Sequence, residues 1–331
     1  MNSFFIGVDV GGTYVRIVSY DESTNGIGDM HKALFKKFND PSKEVHENLC
    51  VLMDSVIKEK SLENKELRGI GLSLAALFDR RSGAIVTWPN NRAWNGFPLR
   101  SYLMERYNVP VLFEDDANSA ALGEHLAGAG KGYSDLAYVT ISTGVGCGLI
   151  LNNSLHIGSN GWAGEIGHIR VIEDGPDCKC GMNGCLQSLV SGPILLQKFV
   201  DLKMLERSTA VSELDLKDVV SLAANGDAVA RDIFKQAGVH LGKMIGSMIM
   251  LLDISLIVLG GGVTGAGDIL LEPLNDTLKG YLKYVQRDMK VIEARLGDNS
   301  GAIGALNLIY KQLNDGNSIE VFYPKGSESN R

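Results

Sequence analysis

The chain is 331 residues long, 45% hydrophobic and 21% charged, which excludes a disordered polypeptide and suits about two domains of ~100–200 residues each. Against 39 Asp and Glu stand 32 Lys and Arg, a formal net charge of -7; with no cationic excess to neutralise a phosphate backbone, nucleic acid is not expected as a partner. The first residues lack the basic, apolar and small-residue succession of a secretory signal, and the most apolar stretch, 245–263, is interrupted by Ser247, Asp253, Ser255 and Gly260; a span needs ~20 largely apolar residues, so no membrane segment and a cytoplasmic location are expected.

In chain order, residues 4–10 read as a buried strand, 11–13 as a turn and 14–20 as a second strand. Apolar residues at helical spacing predict an amphipathic helix over 43–60. Strands follow at 68–74 and 109–113, and a helix begins near Asp116 with small apolar residues on its packing side. Two more strands, 136–142 and 146–151, surround a Thr-Gly turn and echo the arrangement at 4–20. The Gly- and Cys-rich segment 158–192 reads as irregular. Helices are then predicted at 193–206, 214–225 and 227–252, a strand at 255–259, a helix at 267–285, a strand at 291–295 and a last helix at 302–312, followed by a loosely ordered tail, 317–331. Strands alternating with helices predict an α/β fold.

Three glycine turns have the chemistry of phosphate cradles. In Asp9-Val10-Gly11-Gly12-Thr13 a carboxylate at a strand end precedes two glycines and a hydroxyl. Glycines let successive backbone N–H groups approach an anion, and one carboxylate suits a Mg²⁺ ion that keeps waters and substrate phosphates as its other ligands. An ordinary hairpin turn is the competing reading. Ser142-Thr143-Gly144-Val145-Gly146 repeats the logic between the second pair of strands, and Gly260-Gly261-Gly262, between a strand and a helix, offers flat backbone to a nucleotide or makes a plain strand–helix turn.

Two further groups carry chemistry. Cys178, Cys180 and Cys185, with His168 ten residues upstream, supply three sulfurs and an imidazole, a donor set that suits tetrahedral zinc with no position left open, hence a structural metal. Buried free thiols are the alternative. In Glu114-Asp115-Asp116-Ala117-Asn118 carboxylates fall between a strand and a helix, where Asp116 serves either as the N-cap or as a proton acceptor.

Taken together, the glycine turns, Gly164-Glu165-Ile166-Gly167-His168 and the Cys178–Cys185 cluster identify the chain as resembling the actin-like sugar kinase superfamily and, within it, the ROK family (repressors, open reading frames and kinases), over residues 5–308. The resemblance implies two ribonuclease-H-like α/β domains flanking a cleft: a small one, about 1–117 plus about 301–316, and a large one, about 118–300, bearing the zinc loop. It implies an ATP-dependent hexose kinase acting at the 6-hydroxyl, with ATP, Mg²⁺ and structural Zn²⁺, and a homodimer. Asp116 matches the family's catalytic base. ATP and phosphate would be held by Asp9, Gly11, Gly12, Thr13, Thr143, Gly144, Gly261 and Gly262. The sugar would be held by Asn90, Asp115, Asp116, Glu165, His168 and Gln187, and zinc by His168, Cys178, Cys180 and Cys185. Trp88 and Trp94 read as packing residues.

The chain departs from the family pattern where Asp115 replaces Asn, Gln187 replaces Glu, and Ala75-Ala76 replaces Pro-Gly; Tyr14 and Arg16 stand where Lys-centred variants are frequent. Glucokinase and allose kinase activities are both compatible with the resemblance, since the Thr-x-x-Arg and Ala-Leu segments resemble D-allose kinases. Gly175-Pro176-Asp177-Cys178 resembles N-acetylmannosamine kinases. A ROK repressor is disfavoured by the acidic charge and by a first turn that starts at Asp9, with no room for a helix-turn-helix ahead of it; a non-catalytic sugar sensor is the other alternative.

Overall fold

The computed structural model describes residues 2–12, 14–34, 44–88, 92–205, 214–285 and 288–314. The chain divides into two compact units, one running to Gly132 and resuming at Arg295, the other formed by Tyr133–Ala294. Each is α/β, as expected.

The first unit opens with β1 (Ser3–Val10), whose residues are almost all buried because it is flanked on both sides, by antiparallel β2 (Tyr14–Asp21) and by a later parallel strand. Short strands β3 (Gly26–Ile27) and β4 (His31–Leu34) both pair with β2. Helix α1 (Val45–Leu62) starts at a reciprocal Glu44–Glu47 capping box and buries Leu49, Met53 and Val56. Then come β5 (Glu66–Leu74), parallel to β1, and a small hairpin, β6 (Leu77–Phe78) with β7 (Ile85–Thr87).

Helix α2 (Leu99–Tyr107), which the sequence pattern did not reveal, fully buries Leu99 and Leu103, packs Tyr102 and Tyr107 partly buried on the same core, and stops at Asn108 in the left-handed conformation. Its charged face left too weak a period to read. Strand β8 (Val111–Asp115) runs parallel to β5 and passes directly into α3 (Asp116–Ala127).

The second unit begins with the antiparallel β9 (Leu136–Ile141), β10 (Val145–Leu151) and β11 (Ser154–Leu155). After a long loop follow α4 (Gln187–Val190), α5 (Gly192–Leu205), α6 (Leu216–Ala224) and α7 (Ala228–Leu252). Strand β12 (Leu256–Gly260) joins parallel to β9, and after α8 (Asp268–Val285) strand β13 (Lys290–Glu293) joins parallel to β12. The sheet orders are β3-β2-β1-β5-β8 and β11-β10-β9-β12-β13. Both therefore place an antiparallel meander on one side of a central strand and two parallel strands on the other, the duplication that the two strand–turn–strand motifs announced.

The chain returns to the first unit as α9 (Ser300–Leu313), which packs on α3 and on the sheet. A buried carboxylate directs this return: Glu124 of α3 accepts hydrogen bonds from the Arg295 and Leu296 amides and the Ser300 hydroxyl at 2.8–3.0 Å. Those donors replace water around a fully buried acid. Among the described residues, no helix is long and apolar enough to cross a membrane. The expected tail at 317–331 lies outside the described residues.

Candidate functional site

In the first unit, β1 ends by delivering Asp9 to the first glycine turn. Asp9 Oδ1 accepts from the Ser73 hydroxyl of β5 at 2.7 Å, and Oδ2 faces Arg16 Nη1 at 3.4 Å. Arg16 in turn pairs with Asp298 at 2.6 Å, which also takes Lys32 at 3.2 Å. Burial pushes the Asp9 carboxyl up, against the Ser73 hydrogen bond and the Arg16 charge that pull it down. The Gly11 amide donates to the Tyr14 carbonyl at 3.0 Å and so closes the hairpin, while Gly12 stays exposed. The hairpin reading of this turn and its carboxylate therefore coexist. Thr13 lies outside the described residues, as does Asn90.

The junction of β8 and α3 separates three neighbouring acids into three roles. Glu114, 3% exposed, receives a two-pronged hydrogen bond from Arg80 (2.8 and 2.6 Å) and further donors from the Asp115 amide and the Asn118 side chain. Burial pushes Glu114 up, but the Arg80 fork outweighs it and holds the carboxyl below its ordinary value. Asp115 is the N-cap, accepting from the Asn118 amide at 2.8 Å and, through its other oxygen, from the Asn118 side chain. Burial and the adjacent Glu114 charge push it well above the usual carboxylate range. Asp116 is exposed at the first helical position. The capping role that competes for Asp116 on sequence grounds thus belongs to Asp115.

Arg80 was invisible as a functional residue in the sequence, being one of a pair of arginines in a loop. The loop holds it by local chemistry: Asp79 accepts from the Ser82 amide and hydroxyl at 2.6–2.7 Å, and Arg100 donates to the Arg80 carbonyl at 3.3 Å. Trp88 and Trp94 are 1% exposed and meet edge to face at 4.6 Å, as packing residues do.

In the second unit, Ser142 and Thr143 are exposed and Gly144 half-buried in the turn between β9 and β10. At the end of β12, Gly261 has φ 91°, and a Cβ there would stand 2.3 Å from the Ile141 carbonyl, so backbone lies against backbone. The neighbouring Gly262 opens onto free space.

The loop before α4 is irregular, as expected, apart from one short 3-10 turn and two isolated bridges. Gly164 has φ 92°, and Cβ atoms at Gly164 and Gly167 would sit 2.0 and 2.3 Å from carbonyls of Cys147 and Val145. Only glycine lets this segment lie on β10, where a short 3-10 turn, Ile166–His168, presents Glu165 and His168. Their side chains are 4.0 Å apart and half or more exposed for Glu165.

His168, Cys178, Cys180 and Cys185 bring their ligand atoms within 4.8 Å of one another. The Cys178 and Cys180 ends are shaped by a tight turn in which Cys178 N donates to Met182 O and Gly181 N to Cys178 O. His168 Nδ1 lies 3.6 Å from Cys178 Sγ, and Cys180 Sγ lies 3.7 Å from Cys185 Sγ. Tetrahedral bonds of ~2.3 Å to sulfur and ~2.1 Å to nitrogen require edges of about 3.6 and 3.8 Å. Donor set and edges suggest a zinc site. Gln187 Nε2 donates to Cys178 Sγ at 3.3 Å.

Residues 5–312 match the ROK family. The chain is 34% identical to a glucokinase of Halalkalibacterium halodurans over 96% of this chain and 99% of that one. It is 26% identical to a xylose repressor of Bacillus subtilis, covering 94% of this chain and 78% of the repressor. The solved structure of a ROK family glucokinase from Streptomyces griseus in complex with glucose and AMPPNP matches with a TM-score of 0.76 at 29% identity, over 93% of this chain and all of that one. A family match spanning nearly the whole chain makes this protein a member of the ROK family.

Proposed function

We propose that this chain transfers the γ-phosphoryl group of ATP to a hexose, at its 6-hydroxyl. The observation that carries the reading is the division of labour at the start of α3: Glu114 is held by Arg80, Asp115 caps the helix, and Asp116 stands exposed at the first helical position. Asp116 is the proton acceptor in this reading. The sugar oxygen attacks the γ-phosphorus as its proton passes to the Asp116 carboxylate, the bond to the bridging oxygen breaks, and ADP leaves. Such transfer depends mainly on positioning and charge stabilisation. Mg²⁺, held by Asp9 through water, would neutralise phosphate charge.

Gly11, Gly12, Thr13, Thr143, Gly144, Gly261 and Gly262 are the proposed phosphate and nucleotide contacts, and Asn90, Asp115, Asp116, Glu165, His168 and Gln187 the proposed sugar shell. His168, Cys178, Cys180 and Cys185 would hold one structural zinc, which would cross-link the loop before α4. Support for the substrate class comes from the glucokinase relative and from the glucose and AMPPNP bound by the Streptomyces griseus protein. Glucose is the first candidate, with allose and N-acetylmannosamine next because of the changes at Asp115 and Gln187.

The test is ADP release, coupled to a reporter enzyme, over glucose, allose, mannose and N-acetylmannosamine, with NMR of the product to locate the phosphate. Sugar-dependent ADP release supports the kinase; tight sugar binding without it supports a sugar-sensing regulator, the reading favoured by the xylose repressor relative.

A further inference from the structure

The zinc reading of the preceding subsection leaves one polar side chain at the cluster unexplained. Gln187 opens α4 immediately after the last cysteine of the cluster, and its amide Nε2 donates to Cys178 Sγ at 3.3 Å. Its other end, Oε1, lies 3.4 Å from the place where a Cβ on Gly144 would stand. One half-buried amide therefore donates to the sulfur cluster and turns its acceptor end toward the side of Gly144 that carries no side chain. The next residue repeats the attachment, since Ser188 Oγ donates to the Cys185 carbonyl at 2.8 Å, with the Pro176 carbonyl 3.3 Å away. Helix α4 is thus fastened to the cysteine loop at two consecutive positions.

The charge of the cluster explains why an amide suits position 187. Three thiolates and a neutral imidazole around Zn²⁺ carry a net charge of about -1, spread over the sulfurs. Cys178 is 7% exposed, so water does not solvate its sulfur freely. An N–H aimed at that sulfur offsets the negative charge and fixes the direction of its lone pairs, the service that partners outside the ligand set perform at metal sites. A carboxylate at this position would only accept and would carry a negative charge of its own.

We infer that Gln187 is a positioning residue of the His–Cys cluster, holding the Cys178 sulfur through an N–H···S hydrogen bond. This rests on the zinc reading above. Its consequence for the sugar shell is that the donor end of Gln187 faces the metal loop, so a substrate hydroxyl meets Oε1.

The test compares full-length parent with Gln187→Glu and Gln187→Leu. Zinc release to a colorimetric chelator is followed in time, and the sulfur-to-metal charge-transfer band is recorded after cobalt substitution. Gln187→Glu is expected to release zinc on the order of 10–100-fold faster, Gln187→Leu by a smaller factor, and both to shift the cobalt band. A merely structural role of α4 would not move that band. Should Gln187→Glu fail to fold, the leucine variant alone decides. Release at the parent's rate or slower together with an unmoved band overturns the inference. A parent that binds neither zinc nor cobalt defeats the metal reading itself and the inference with it.

Discussion

Arg80 and Glu114, 34 residues apart, form a two-pronged ion pair at 2.6 and 2.8 Å that fastens the loop between β6 and β7 to the end of the strand leading into the helix that carries the candidate base. Glu114 is almost wholly enclosed, so removing its partner strands a buried charge. Arg80→Met is expected to destabilise the protein by about 3 kcal/mol, the low end for a broken buried pair because Arg80 is partly exposed. Arg80→Lys should recover only part, since an ammonium cannot reproduce the fork. Urea unfolding reads both; a parent-like midpoint for Arg80→Met would remove the pair from the account of this junction.

Asp116→Asn is expected to lower kcat by roughly 10²–10⁴-fold while leaving the melting temperature and the affinity for sugar near those of the parent. The isosteric amide keeps the shape and loses the proton acceptor. Turnover within about tenfold of the parent would show that another group takes the proton.

Purified protein is expected to contain one zinc per chain, and chelation or Cys178→Ser to lower its thermal stability. Atomic emission spectroscopy and a melting curve with and without chelator measure this. Metal-free protein that melts as the untreated protein does would mean that the four side chains converge without holding an ion.

Asp115 caps α3, and the cap predicts a graded response. Asp115→Ala should cost about 1 kcal/mol and Asp115→Asn almost nothing, because asparagine caps as well. With stability thus preserved, kcat/KM of Asp115→Asn over the four sugars isolates the residue's part in specificity. Replacing a carboxyl by an amide, which presents two N–H donors whatever the pH, is expected to reorder them. An unchanged ranking would confine Asp115 to the cap.

Acid is expected to weaken the β2 edge through Asp21. Burial pushes this carboxyl up, but the Lys65 ion pair and the Ser23 hydrogen bonds overcome it and bring it to about 2, below its ordinary value near 4. A depressed acid stabilises the fold fully above its unfolded value, and the contribution fades as pH falls from about 4 through 2. Asp21→Asn should therefore flatten the pH dependence of the melting temperature in that interval; an unchanged slope would show that Asp21 does not contribute to it.

The amino-acid order by itself determined the element types wherever one face is buried along many residues, as in β1, β9 and α7, because period and burial are local properties. It also announced the duplicated strand–turn–strand plan and the His168–Cys185 cluster, whose ligands lie within 18 residues. Weakly periodic pieces escaped it: α2 and the β6–β7 hairpin anchor too few apolar side chains to leave a pattern. For α3 the sequence offered Asp116 as cap or proton acceptor, and it was the backbone geometry that gave the cap to Asp115 instead.

What only the tertiary structure decided are the partnerships made by chain segments far apart. Arg16 meets Asp298 across 282 positions, and Glu124 waits for amides 171 and 172 residues on. No local rule encodes these pairs, because a buried charge or amide takes whichever donor the completed packing brings within 3 Å or so, and that packing exists only once both sheets have closed over their helices.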